Sequence, residues 1–152
     1  MPTDKRFHIL ENVKDTFDLI TVAGGYNFNA GYKGIGIKHY TEIGENRFPA
    51  LMVAGADEVR ANATNETFKS ELEISVVGYV KSSNAHNPEI AERDLSRLIA
   101  DLTKALYVDH TRGGLCTFTE IGTVRSDKGF IQPYAAFEMI LQVEYRSDFS
   151  QP

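Results

Sequence analysis

The alternation of apolar and polar positions is sharpest between Phe68 and Lys81. Phe68, Leu72, Ile74, Val76 and Val80 share one parity, and Glu71, Glu73, Ser75 and Lys81 take the other. Successive side chains of a strand point to opposite faces, so this run predicts a strand with one dry face and one wet face. A turn over 82–87 follows. Asn87-Pro88-Glu89 then supplies an N-cap, a first-position proline and an acid at the positive end of a helix dipole. Ala91, Leu95, Leu98, Leu102 and Ala105 recur at helical spacing, flanked by Ile99 and Leu106, with Arg93, Arg97, Asp101 and Lys104 on the far side. A long central helix over about 88–108 is predicted, ended by Gly113-Gly114. Strand and helix can bury their apolar faces against each other, and the pair reads as the nucleus of the core.

The same patterning places the other elements. Thr3 or Asp4 can cap a first helix whose apolar stripe is Phe7, Leu10, Val13, Phe17 and Ile20, with Gly24-Gly25 as its stop. The stretch holding Gly24, Gly25, Gly31, Gly34 and Gly36 predicts a turn-rich hairpin or meander, with Ile35, Ile37 and Tyr40 as strand positions. Phe48 to Ala54 reads as a short apolar strand with Pro49 at its start. Gly55 to Asn65 reads as a polar loop, either a solvated hairpin tip or an arm that orders against a partner. The run 66–81 would span ~53 Å at ~3.3 Å per residue, so it either bends near Gly78 or projects beyond the core as a site for subunit contacts. Cys116 to Val124 alternates loosely, and Arg125-Ser-Asp-Lys-Gly129 reads as a turn. In the closing strand, 134–146, Phe137, Met139, Leu141, Val143 and Tyr145 share one face. Glu138, Ile140, Gln142 and Glu144 share the other, which faces solvent or another subunit. Residues 147–152 read as a polar tail. Segregated helices and hairpin-linked strands predict one α+β domain over 1–152, with a mainly antiparallel sheet and two helices packed on one face.

Composition narrows the function classes. With 152 residues, 42% apolar and 11% aromatic, the chain can bury a real core. A net charge of −5 argues against gripping nucleic acid by its phosphates, which needs clustered Lys and Arg. It leaves room for DNA to pass nearby without being held. The single cysteine, Cys116, rules out an internal disulfide framework and reads as a small buried hydrophobe. No signal-peptide pattern opens the chain, and no run reaches the ~18 apolar residues of a membrane span. Without a secretion signal, the Asn62-Ala-Thr64 and Asn65-Glu-Thr67 glycosylation patterns read as chance.

Candidate chemistry is sparse. A phosphate loop needs Lys followed by Ser or Thr and then a helix, and Lys38-His39 does not supply that. The dinucleotide fingerprint fails on spacing. His8 reads as a surface residue. His110 sits beside Asp109 near a helix C-terminus, where it favours the dipole or is exposed, and no Cys or His stands at ligand spacing. No catalytic residue, cofactor or metal is assigned.

Read end to end, the order and wording resemble the tail terminator proteins of long-tailed bacteriophages, over about Lys5 to Arg146. The similar stretches are Leu19-Ile-Thr-Val with its glycine turn, Phe48-Pro-Ala-Leu-Met-Val, Leu72-Glu-Ile-Ser-Val-Val-Gly-Tyr-Val-Lys and the helix from Arg93 to Leu106. Gly113-Gly114, Asp127-Lys-Gly129 and Leu141-Gln-Val-Glu-Tyr-Arg146 complete the set. The resemblance implies a non-enzymatic virion protein, assembled in the host cytoplasm and placed in the neck region of the tail. It implies a homohexameric ring that caps the tail tube, stops its polymerisation and meets the head-side connector or neck protein, with the genome passing through the hole. Asp57, Glu58, Arg60, Asn62 and Asn65, with Arg125, Asp127 and Lys128, are the candidate contacts with neighbouring subunits or the tube; the alternative is ordinary solvated loops. Two rival readings stand beside it. One is another neck or tail-completion protein. The other is a small ligand-binding domain or enzyme using the Gly24–Gly36 segment.

Overall fold

The computed structural model describes residues 4–84 and 86–150. Helix α1 (Lys5–Thr16) runs into a 3₁₀ turn (Phe17–Leu19). Strands β1 (Lys33–Ile35), β2 (Ala50–Asn62) and β3 (Thr67–Lys81) follow, then helix α2 (Pro88–Leu106) and strands β4 (Phe118–Ser126) and β5 (Tyr134–Asp148). The sheet order is β1-β2-β3-β5-β4. β1 and β2 pair in parallel, and β2 with β3, β3 with β5 and β4 with β5 pair antiparallel. The fold is the α+β arrangement that the pattern predicts.

Both helices cover the same face. Ile9, Leu10, Val13 and Phe17 from the first helical segment and Leu95, Leu98, Leu102, Ala105 and Leu106 from α2 are buried. They form one cluster with Leu72, Ile74, Val76, Phe137, Met139, Leu141, Val143 and Tyr145 of the sheet. Asn87 Oδ1 accepts from Glu89 N at 3.1 Å, the cap expected for α2. Asp4 caps α1 by accepting from Phe7 N at 3.2 Å. Thr3, the other candidate cap, lies outside the described residues.

Several elements depart from the sequence pattern. Phe7 is 43% exposed and Ile9 fully buried, because Phe7 stands about 120° round the helix from Val13. Arg6, about one heptad before Val13, takes the sheet-facing place instead. Asp101 is buried rather than on the solvent side of α2, and its carboxylate accepts from Asn27 N and Phe28 N at 3.0 Å. It thereby fastens the glycine-rich segment to the helix. That segment is no hairpin: residues 20–32 are irregular, β1 has three residues, and Tyr40 lies in a 3₁₀ turn. Cys116 is buried but precedes its strand. The closing strand runs through Ser147 and Asp148, so the polar tail is shorter than expected.

The supposed loop from Gly55 to Asn65 is mostly strand. A bulge between Gly55 and Glu58 sets three steps of β2 against two of β3. Leu51, Val53 and Gly55 face the helices before it; Glu58, Arg60 and Asn62 do so after it. The parity switch hides the strand from any period-2 reading. β3 neither bends at Gly78 nor leaves the sheet, since it pairs with β5 from Thr67↔Asp148 to Lys81↔Tyr134.

Candidate assembly surfaces

The two groups of candidate contact residues lie at opposite ends of the sheet. Asn62 and Thr67 mark one end, beside Asp148 of β5. Ser126 and Tyr134 mark the other, beside Phe137 and Lys81. One partner surface therefore does not gather all eight residues on a single chain.

Three of the eight hold the chain's own fold. Ser70 Oγ donates to Glu58 Oε1 at 2.5 Å, and the Tyr145 hydroxyl donates to the same oxygen. Arg60 Nη2 stands 3.3 Å from Glu58 Oε2, and the Arg60 guanidinium lies 4.6 Å from the centre of the Phe68 ring. Arg6 Nε completes the group at 3.8 Å from Glu58 Oε2. Gly55 makes room for Arg6: a Cβ there would meet Arg6 Nη2 at 2.3 Å. Burial by itself pushes the Glu58 pKa up. The hydrogen bonds from Ser70 and Tyr145 and the Arg60 charge outweigh it, and the net displacement is downward. Burial and the bond to Glu58 push the Tyr145 hydroxyl up. Asp127 is likewise occupied: its carboxylate accepts from Ile131 N and Ala136 N, each at 3.1 Å, and closes the β4–β5 turn. Asp57, Asn62, Asn65, Arg125 and Lys128 are exposed.

The sheet face away from the helices has two halves. Near Ala50 and Tyr79 it is covered by a second apolar cluster of Ile43, Ala50, Met52 and Tyr79, with Tyr40, Phe48 and Ile131 packed on it. At the other end it is bare. One row across it reads Val59, Glu71, Glu144, Phe118, and the next holds Glu73, Gln142 and Glu120. Glu71, Phe118, Glu120, Gln142 and Glu144 line an open depression of about 430 Å³. Val59 is 68% exposed and Phe118 45%. The edges of the sheet, the distal half of β2 and all of β4, each carry a bulge, at Gly55/Glu58 and Ile121/Val124. Bulged edges resist strand-to-strand addition, which leaves the bare face as the more inviting contact surface.

Arg112 is the functional-looking residue that the sequence pattern passes over. It is fully buried with φ +50°, donates through Nη2 to Leu106 O and through Nη1 to Thr16 Oγ1 at 2.9 Å. It satisfies a terminal carbonyl of α2 and ties it to the end of α1. A polar turn, Asp109-His-Thr-Arg, gives no sign in one dimension that its last residue points inward. His110 is exposed and Cys116 buried, and burial pushes the Cys116 thiol up, away from nucleophilic use.

The glycine-rich segment does not form a phosphate cradle, because β1 and not a helix follows its turns. Lys33 is paired with Asp18 at 2.6 Å, and Lys38 lies 5.1 Å from the centre of the Tyr32 ring. Among the described residues, no group of three or more His, Cys, Asp or Glu is placed to hold a metal ion, and no helix is long and apolar enough to cross a membrane. No protein-family model matches the chain, and no curated protein matches it.

Proposed function

We propose that the protein is a tail terminator of a long-tailed bacteriophage: a structural subunit that forms a homohexameric ring, caps the tail tube and joins it to the head-side connector or neck protein. The observation that carries this reading is the half-bare sheet. A five-stranded sheet with both helices on one face leaves Val59, Glu71, Glu120 and Phe118 exposed on the other, with Glu73 half-buried among them. Such a surface on a well-packed domain favours contact with another chain over catalysis. A second support is the assignment of polar groups: Glu58, Arg60, Asp101, Arg112 and Asp127 all serve the fold. The acidic balance suits a ring through which DNA slides without being held.

Tube growth tests the proposal. Tail-tube protein polymerising in the presence of this chain should stop early, with a ring visible at one end of each tube. Tubes that grow to the same lengths with bare ends would contradict a terminating role, and binding to neck components without effect on tube length would favour a neck or completion protein instead.

A further inference from the structure

The bare sheet face and the outer side of α2 look away from each other across the domain; the first is mainly acidic, and the second carries the basic pair Arg93 and Arg97 beyond the acids of its first turns. On the sheet, Glu71 stands directly across from Glu144, and Glu120 and Glu73 flank Gln142. Like charges directly opposite one another on a sheet repel. Glu144 has one cation, Lys69 at 3.4 Å. Glu71, Glu73 and Glu120 have no ion pair among the described residues. On the helix, Arg93, Arg97, Ala100 and Lys104 make one exposed stripe at spacings of four, three and four. Lys104 is spoken for, donating to Gly25 O at 3.0 Å beside the Tyr26 ring. Arg97 has no partner among the described residues, and Arg93 reaches only Asp94, at 3.9 Å. Glu89 and Glu92 occupy the first turns, so the positive stretch lies further along.

From this we infer that the occupant of the bare sheet face is a second copy of this chain, seated through the Arg93–Arg97 side of its α2. The inference rests on the ring reading above and specifies its subunit contact. Pairing front to front brings Glu71, Glu73 and Glu120 of one copy near the same acids of the next, with only Lys69 and Arg146 of the adjacent row to offset them. Front-to-back stacking joins opposite charges, and Phe118 and Val59 lose their exposed area against the helix. Such a contact uses two different patches, so it is heterologous, and with suitable rotation it closes into a ring.

Two variants test it. A back variant, Arg93→Glu with Arg97→Glu, and a front variant, Glu71→Lys with Glu120→Lys, each alter exposed side chains only. Circular dichroism checks that each is folded, and sedimentation velocity reads its mass. Each alone should remain monomeric where the parent chain assembles. An equimolar mixture should regain the parental mass, because alternating copies match every front to every back and six is an even number. The inference is overturned if either folded variant assembles alone like the parent, if the mixture of folded variants stays monomeric, or if it stops at dimers, which would mark a front-to-front contact. A parent chain that forms rings while both variants do so too leaves the ring standing and removes this contact from it. A parent that stays monomeric alone and with tail tubes defeats the ring reading, and this inference with it. Should a charge reversal prevent folding, Arg97→Gln and Glu120→Gln serve in its place. Each should raise the concentration for half-assembly by roughly two- to fivefold, and no change in both would overturn the contact.

Discussion

Arg112 and Glu58 are charged side chains spent on architecture. Burial pushes the Arg112 pKa down, with Asp109 opposing, yet its guanidinium bridges the ends of both helices. Arg112→Met keeps volume but leaves the Leu106 carbonyl without its donor. Urea unfolding should show a loss of about 1–3 kcal/mol; an unchanged midpoint would mean that water or backbone serves equally well. Glu58 allows a signed pH test. Its folded pKa lies below the ordinary value of 4.5. The stability it contributes is therefore present above that value and is lost as pH falls through the folded pKa. Glu58→Gln should cost about 1–2 kcal/mol at neutral pH and should flatten the acid limb of the stability profile. Equal acid limbs in parent and variant would show that the carboxylate is not coupled to folding. For the same reason, reversing Glu58 and Arg60 reports on folding, and Asp57 is the better probe of the arm as a contact.

Among the elements, α2, β3 and β5 were legible because each keeps one period along its whole length. β2 was not, because the bulge before Glu58 shifts parity in mid-strand. The glycine-rich segment misled in another way. Its glycines mark turns, but the segment is ordered by distant groups, Asp101 and Lys104 of α2 and the apolar cluster on the far sheet face. Local pattern assigns arginine to solvent, and only the assembled fold turns Arg112 inward and lays the half-buried Arg6 against Glu58. Gly78 shows the limit of single-residue reasoning. It reads as a bend, yet the strand is unbroken and the Phe137 ring of β5 lies over it, with a Cβ at position 78 falling 2.2 Å from Phe137 Cε1. Gly78→Ala should cost about 1–3 kcal/mol by forcing that ring aside. Combining it with Phe137→Leu should recover part of the loss, and strictly additive losses would argue that the ring is not the obstacle.

At the scale of the molecule, the helices seal one side of the sheet, and loops seal half of the other. What stays open is a mainly acidic surface on which Val59 and Phe118 are exposed. The α+β fold could be read from the chain; which half of the sheet is left bare could not, since loops distant in sequence decide it. Assembly is the claim on which the functional proposal turns. The most direct measurement is the native mass of the purified chain, alone and on tail tubes, with electron microscopy of the same samples. A closed ring of six copies is expected; a chain that stays monomeric in both settings, at concentrations where tubes are stable, would contradict it.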